Sequence, residues 1–298
     1  MVANKTSRIS QLNNNLSFCK HLNLYLICND PSIAEHAVGA GVDRIFVDLE
    51  VQGKRERQAG LDTPINAHTA GDIAAIRAFV PKAYILARLN PLHAGSQAEI
   101  NEVLAAGANA IMQPMFRSAL EVREFAALLN SRAAYVPLVE TCEAASSFDD
   151  WWDAPGITEI YIGLNDLRLS LGLSSIFGAL MNGYVERLAG RISSRSIPFG
   201  FGGLGRLSAS QPVPASLLLA EHVRLGSTSV ILSRAFHQRS TTLAEFTAAV
   251  NAAEEISAIR RMWKDLHTAG GPRLAELNHE LRSRVSLLES GGTTPNPV

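Results

Sequence analysis

Eight short apolar runs alternate with longer amphipathic runs along most of the 298-residue chain. The short runs are rich in β-branched and aromatic residues, which favour strands. They are almost continuously apolar, as expected for parallel strands covered on both faces. We predict strands at residues 22–28, 44–49, 83–89, 110–115, 134–139, 159–163, 198–202 and 228–233.

The runs between the predicted strands repeat at the helical period. Gly41, Gly107 and Gly226 each stand between a predicted helix and the next strand, where a glycine commonly ends a helix. Strict alternation of eight strands with helices predicts a (β/α)8 TIM barrel, an α/β fold. A doubly wound open parallel sheet is the alternative that this pattern leaves open. The predicted helices are residues 32–40, 69–79, 98–106, 119–129, 181–193 and 213–225.

The chain continues beyond the predicted barrel with additional C-terminal helices. Two helices are predicted, 242–266 and 273–289, joined at Gly270-Gly271-Pro272. Their apolar stripe has to be buried, either on a neighbouring subunit or across the chain's own barrel. We therefore divide the chain into a polar N-terminal segment (1–17), a catalytic barrel domain (18–240), a helical arm (241–290) and a tail that we expect to be flexible (291–298).

Charge and cysteine content restrict the functional class. The net charge is −1, from 27 basic and 28 acidic residues, whereas a nucleic-acid or membrane-surface protein normally shows a basic stripe. The cysteines Cys19, Cys28 and Cys142 are too scattered for a disulfide framework. No apolar run reaches the length of a membrane span, and the polar first residues do not resemble a signal peptide. We expect a cytoplasmic protein with neither a nucleic-acid nor a membrane partner.

Charged residues stand at the ends of four predicted strands. Asp48 and Glu50 follow the second strand, Arg88 the third, Glu140 the fifth and Asp166 the sixth. In a barrel of parallel strands these ends form the active-site face. Carboxylates there are costly without partners, and two of them can hold a hard divalent cation such as Mg²⁺. We predict Glu140 and Asp166 as metal ligands, with Arg88 placed to stabilise an enolate.

Five short motifs occur in a recognisable order along the predicted barrel. They are Asp-Leu-Glu50, Ala-Arg88-Leu-Asn, Gln-Pro-Met115, Val-Glu140-Thr and Ile-Gly163-Leu-Asn-Asp166-Leu. This order resembles the HpcH/HpaI aldolase/citrate lyase family over roughly residues 20–236. The resemblance implies a Mg²⁺- or Mn²⁺-dependent barrel that makes or breaks carbon–carbon bonds through the enolate of a pyruvate-type 2-oxo acid. It also implies a homo-oligomer, a trimer or hexamer.

Within these motifs we expect two groups of functional residues. Arg88, Asp48 and Glu50 are the expected catalytic residues, and Gln113, Gly163 and Asn165 the expected substrate contacts.

Two positions depart from the family pattern. The pyruvate aldolases carry a histidine directly after Asp-x-Glu, where this chain has Val51, and a glutamine where it has Leu138. The acyl-thioester lyases carry Asp-Leu-Glu-Asp at the first of these positions. Neither substrate class can therefore be assumed.

A histidine elsewhere could replace the missing base. His93, just after the third strand, is the first candidate because its ordinary pKa suits proton transfer near neutral pH. His68, before the next helix, is the second. The alternative for His93 is a solvated loop histidine, and for His68 a residue that only caps or packs.

The loops after the seventh and eighth strands are rich in glycine and arginine. Gly203, Arg206 and Arg234 could bind an anion, because barrel loops at these positions often bind phosphate through backbone N–H groups. We therefore expect an anionic acceptor, with phosphorylated aldehydes among the candidates. The alternative is that these glycines only turn the chain and that the arginines pair with carboxylates on the rim.

Three functional hypotheses follow. The first is a metal-dependent carbon–carbon lyase of the aldolase type that acts on a 2-oxo acid. The second is a condensing transferase or an acyl-CoA lyase that uses the same enolate. The third is a non-catalytic barrel that binds a metabolite, motivated by Val51.

Overall fold

The computed structural model describes residues 21–53 and 68–290, and the predicted N-terminal segment and tail lie outside these ranges. Eight parallel strands close into a barrel in sequential order, with the first strand paired to both the second and the eighth. The predicted TIM barrel is confirmed, and the open sheet is excluded. The strands are β1 (Asn23–Ile27), β2 (Arg44–Asp48), β3 (Tyr84–Arg88), β4 (Ala110–Gln113), β5 (Ala134–Val139), β6 (Ile160–Ile162), β7 (Phe199–Leu204) and β8 (Ser229–Leu232).

Helices surround the barrel and follow each strand in turn. Local capping fixes the first two helix starts: the Asp30 carboxylate accepts a hydrogen bond from Ile33 N at 2.8 Å, and Thr69 and Asp72 form a capping box. The barrel-domain helices are α1 (Pro31–Ala40), α2 (Ala70–Phe79), α3 (Ser96–Ala105), α4 (Ala119–Leu129), α5 (Cys142–Ser146), α6 (Phe148–Trp151), α7 (Leu164–Ser170), α8 (Gly178–Met181), α9 (Tyr184–Ser193), α10 (Ala215–Leu225) and α11 (Arg234–His237).

The helical arm contains α12 (Leu243–Ala249), α13 (Ala252–Thr268) and α14 (Gly270–Ser290). The single helix predicted over 242–266 is wrong, because Val250 is extended and Asn251 caps a new helix. The linker predicted at Gly270-Gly271-Pro272 is also wrong. These residues form the first turn of α14, where proline is tolerated because its missing N–H has no helical partner.

The arm packs across the chain's own barrel. Helix α14 lies on α10 and α13 on α1, with Leu281 and Val285 buried. Arg260 of α13 donates to Asp43 at 2.6 Å, at the amino-terminal end of β2. Of the two alternatives left open for the apolar stripe, the structure thus shows the intramolecular one, and the trimer or hexamer stays a prediction. No helix in the described parts of the chain has the length and apolar character needed to cross a membrane.

The amino-terminal end of the barrel is closed by a buried polar network. Glu159 is 3 % exposed and pairs with Arg44 at 2.7 Å. The hydroxyl groups of Tyr25 and Ser229 also donate to this carboxylate. The Arg44 guanidinium lies over the rings of Tyr25 and Tyr84. These contacts satisfy the buried charges and leave the opposite end as the open one.

A register shift between β7 and β8 shapes the open end. Gly200 pairs with Ser229 but Gly203 pairs with Ile231, so one extra residue is accommodated in β7. The Tyr161 hydroxyl, from β6, donates to Gly202 O and accepts from Ile231 N, each at 2.8 Å. The Tyr161 hydroxyl thus replaces hydrogen bonds between β7 and β8 that the bulge interrupts.

We expect Tyr161→Phe to lower the free energy of unfolding by about 2–3 kcal/mol, because it leaves a buried N–H and C=O without their partner. Urea unfolding followed by circular dichroism measures this. Tyr84→Phe, at a partly exposed barrel tyrosine, is the control and should change stability by less than about 0.5 kcal/mol. Equal effects of the two substitutions would contradict the bridging role.

Candidate active site

A cavity of about 180 Å³ opens at the carboxyl-terminal end of the barrel. Most of its wall is apolar, and its charged members are Arg88, Glu140, Asp166 and Arg234. A cavity of roughly 150 Å³ is enough to hold benzene. The cavity therefore suits small ligands, of about the size of pyruvate.

Arg88 is fixed by carboxylates from the neighbouring strand. Asp48 and Arg88 are register partners in the β2–β3 ladder, so their side chains meet. The Asp48 carboxylate accepts from Arg88 Nε and Nη2, both at 2.8 Å, and Glu50 Oε2 lies 3.5 Å from Nη2. Both carboxylates are 1 % exposed. Burial would lower the pKa of Arg88, but the charges of Asp48 and Glu50 outweigh it and hold this pKa well above its ordinary value.

Glu140 follows β5 directly and is 2 % exposed. Its Oε1 accepts from Met115 N at 3.0 Å, and Met115 has a left-handed backbone with φ of 56°. Its Oε2 lies beside Gly163, where an added Cβ would come within 2.9 Å of that oxygen. Gly163 therefore leaves the space that one oxygen of Glu140 occupies.

Asp166 and Asn165 lie in the first turn of α7 rather than at the end of a strand. The predicted strand at 159–163 is shorter, because the chain turns into the helix at Gly163. Asp166 nevertheless lines the same cavity as Glu140. Asn165 also lines it, and its Oδ1 accepts from Arg168 Nε at 3.2 Å.

The donor set of Glu140 and Asp166 fits a hard divalent cation, which prefers carboxylate oxygens. Within residues 21–53 and 68–290, no group of three or more His, Cys, Asp or Glu side chains could hold a metal. Two protein carboxylates would thus leave the other coordination positions of the ion to water and substrate. Mg²⁺ sites in proteins commonly keep several waters in this way.

The remaining predicted residues separate into two groups. Gly203 and Arg234 line the cavity, at the ends of β7 and β8. Gln113, Arg206 and His93 are not among the residues of its wall. They lie in three other environments.

Gln113 is buried on the outer face of the barrel, where its Oε1 accepts from the Tyr135 hydroxyl. Side chains alternate between the two faces along β4. Met112 points into the barrel, so the next residue, Gln113, points outward. Arg206 lies beside the arm and donates to Ala249 O. Leu204 ends β7, which carries Arg206 past the cavity.

His93 is held in its own loop. Its Nδ1 accepts from Gly95 N at 3.0 Å, and its Nε2 lies 3.4 Å from Glu99. His68 instead lies next to the Asp48–Arg88 pair, since its Nδ1 accepts from Asp48 N at 3.1 Å. Of the two histidines, the structure thus brings the second candidate nearer to Arg88.

Sequence reasoning missed most of the apolar wall and also several residues with polar or aromatic side chains, among them Tyr161, Phe201, His222 and Ser233. His222 carried one usable signal, because it is a histidine inside the apolar pattern of α10 and is 1 % exposed. Ser233 adjoins Arg234, but nothing in its local sequence distinguishes it from a turn residue.

Residues 21–178 match the family model of HpcH/HpaI aldolase/citrate lyase, and the chain belongs to this family of lyase- and aldolase-type enzymes. The match includes Arg88, Glu140 and Asp166, whereas Gly203 and Arg234 lie beyond it. No match was found among curated proteins.

Solved structures show the same fold at low sequence identity. An HpcH/HpaI aldolase from Desulfitobacterium hafniense is 16% identical, with a TM-score of 0.58 over 84% of this chain and 96% of that one. A family protein from Burkholderia cenocepacia is 16% identical, with a TM-score of 0.57 over 80% and 99%. The citrate synthase SbnG is 16% identical, with a TM-score of 0.57 over 84% and 98%.

We expect Asp48→Asn to lower the free energy of unfolding by about 3–5 kcal/mol, because it leaves the Arg88 cation buried without its two-point partner. Urea unfolding measures the change. Asp153→Asn is the matched control, since Asp153 pairs with Arg123 at 2.8 Å on the surface and should contribute at most about 1 kcal/mol. Similar losses for both variants would show that burial does not set the strength of the Asp48 pair.

Proposed function

We propose that this protein is a divalent-metal-dependent carbon–carbon lyase of the aldolase type that forms the enolate of a 2-oxo acid such as pyruvate. One observation carries the proposal: Arg88, Glu140 and Asp166, from three different parts of the barrel, line one small cavity. This combination of an oxygen donor pair and a fixed cation suits a substrate in which negative charge develops on a keto oxygen.

Glu140 and Asp166 would hold Mg²⁺ or Mn²⁺. When bound, the ion supplies Lewis-acid polarisation of the keto group. Glu140 is already restrained by Met115 N at 3.0 Å, so little of its freedom remains to be lost on binding.

Arg88 stabilises the enolate oxygen. Asp48 binds the edge of the guanidinium formed by Nε and Nη2, which leaves Nη1 for a substrate oxygen. Because the guanidinium is fixed before substrate binds, it needs no reorganisation as charge develops. Asp48 and Glu50 contribute by holding the guanidinium of Arg88 in place.

The reaction balances without a redox partner. In condensation the methyl carbon of the 2-oxo acid loses a proton, the enolate carbon bonds to an aldehyde carbon, and the aldehyde oxygen takes up a proton. Cleavage is the reverse. A condensing enzyme that mainly uses the forward direction is the second candidate, favoured by the fold shared with a citrate synthase.

We expect Glu140→Gln and Asp166→Asn to weaken Mn²⁺ binding at least about 100-fold, because each removes a charged oxygen donor. Isothermal titration of the purified proteins measures the dissociation constant. Glu143→Gln is the control, since Glu143 is exposed, lies outside the cavity wall and should leave Mn²⁺ affinity unchanged. Unaltered affinity in both site variants would refute the assignment of the metal pair.

We expect the wild-type protein with Mg²⁺ or Mn²⁺ to exchange the methyl protons of pyruvate with deuterium from heavy water. Arg88→Lys should slow this exchange about 10²–10³-fold while Mn²⁺ binding persists, because the planar two-point interaction with Asp48 is lost. Proton NMR follows the exchange. The proposed function fails if the wild-type protein exchanges no protons of pyruvate or of other 2-oxo acids.

A further inference from the structure

The turn that follows β2 carries Glu50, the second carboxylate against Arg88. Strand β2 ends at Asp48, and Leu49 N still donates to Arg88 O at 2.9 Å. Glu50 comes after this backbone contact, yet its Oε2 lies 3.5 Å from Arg88 Nη2 and the residue is 1 % exposed. The contacts that hold the turn therefore decide where Glu50 meets Arg88.

Asn90, just after the end of β3, holds this turn. Its Oδ1 accepts from Val51 N and from Gln52 N, each at 2.9 Å. These are the two residues directly after Glu50. Asn90 is 8 % exposed, so its side chain is a buried link between the ends of two neighbouring strands. Because Asn90 is two residues from Arg88, one short segment carries both the guanidinium and the group that places Glu50 beside it.

Glu99 fixes the other end of the Asn90 amide. Glu99 lies in the first turn of α3, and its Oε1 accepts from Asn90 Nδ2 at 2.6 Å. Backbone N–H groups can only donate and a carboxylate can only accept, so the orientation of the amide is determined. Turning the amide over would set its NH₂ group against two N–H groups and its oxygen against a carboxylate. Both polar atoms of the amide are thus bound within the protein.

His93 lies behind Glu99. Its Nδ1 accepts from Gly95 N at 3.0 Å, so this nitrogen carries no proton. The proton of the neutral ring is therefore on Nε2, which lies 3.4 Å from Glu99 Oε2. Gly95 leaves the space for the ring, since a Cβ there would approach His93 Cε1 to 2.8 Å. The ring of His93 thus supports Glu99, and it is not part of the cavity wall.

The position of Glu50 matters because two carboxylates hold the guanidinium of Arg88. Asp48 accepts from Nε and Nη2, and Glu50 also lies against Nη2. A displaced Glu50 would remove one of these two contacts. A misplacement of about 1 Å in a catalytic site can slow a reaction about 100-fold.

We infer that Asn90 is a positioning residue for Arg88, which it serves by placing Glu50, and that Glu99 and His93 hold Asn90 in turn. The inference rests on the proposed function, in which Arg88 meets the keto oxygen, and it adds residues on which that role depends. Asn90 is not among the residues of the cavity wall, so it contributes through Glu50 rather than by touching substrate.

Asn90→Asp tests this network with a change of one charge. The new side chain keeps an oxygen for Val51 N and Gln52 N, but it sets a second carboxylate against Glu99 where the amide donated at 2.6 Å. We expect the exchange of pyruvate methyl protons in heavy water to slow about 10–100-fold in kcat. The affinity for Mn²⁺ should stay unchanged, since neither proposed metal ligand takes part in the network.

Glu99→Gln, added to Asn90→Asp, should restore the exchange rate to within about threefold of the wild type, because the glutamine amide can donate to the new carboxylate. Asn251→Asp is the matched control. The Asn251 amide donates to Glu254 Oε2 at 3.2 Å on the surface of the arm, so this substitution sets two carboxylates against each other away from the barrel mouth. It should leave the exchange rate unchanged.

A measurement on Arg88 itself does not depend on activity. In protein labelled with nitrogen-15 arginine, the side-chain NMR signals of Arg88 are those that Arg88→Lys removes. Asn90→Asp should shift these signals and the double variant should return them. If Asn90→Asp does not fold, Glu99→Ala takes its place, because it removes the acceptor behind Asn90 while keeping the amide. It should shift the same signals and slow the exchange.

The outcomes separate this inference from the proposed function. If the wild-type protein exchanges pyruvate protons and Asn90→Asp does so equally fast with the Arg88 signals unmoved, the positioning role is overturned and the enolate function stands. Failure of the double variant to recover also overturns it. If the wild-type protein exchanges no 2-oxo acid, the proposed function fails, and the Arg88 signals still decide whether Asn90 positions the guanidinium.

Discussion

The paired contact of Arg88 with Asp48 is the interaction on which the open end of the barrel depends. A guanidinium at this depth is tolerated because Asp48, its register partner on the neighbouring strand, and Glu50, two residues further along the chain, both lie against it. Glu140 also acts electrostatically on Arg88, so this guanidinium is shared among three carboxylates, and Arg234 is the other cation of the cavity wall. A divalent cation held by Glu140 and Asp166, as proposed, would balance negative charge that Arg88 shares with Asp48 and Glu50.

Buried charged groups have different surroundings at the two ends of the barrel. At the amino-terminal end Glu159 is matched by Arg44, Tyr25 and Ser229, and the charge is satisfied within the protein. At the other end the carboxylates face a cavity. One end of the barrel is thus closed by contacts within the protein, whereas charged groups at the other end line a space that a ligand can enter.

Much of this arrangement was predictable, because parallel strands of a barrel end on one face. Asp48, Arg88 and Glu140 follow from strand ends alone, and all three lie where that rule puts them. Gln113 was misplaced because a motif was considered without the alternation of side chains along β4. Arg206 was misplaced because β7 extends further than its apolar run indicates.

The bulge in β7 could not be predicted, because it depends on contacts between distant parts of the chain. The Tyr161 hydroxyl, from β6, bonds both Gly202 of β7 and Ile231 of β8. The bulge in turn positions Gly202 and Gly203 in the cavity wall. Each of these contacts joins separate segments of the chain, so only the folded structure shows how this side of the cavity is formed.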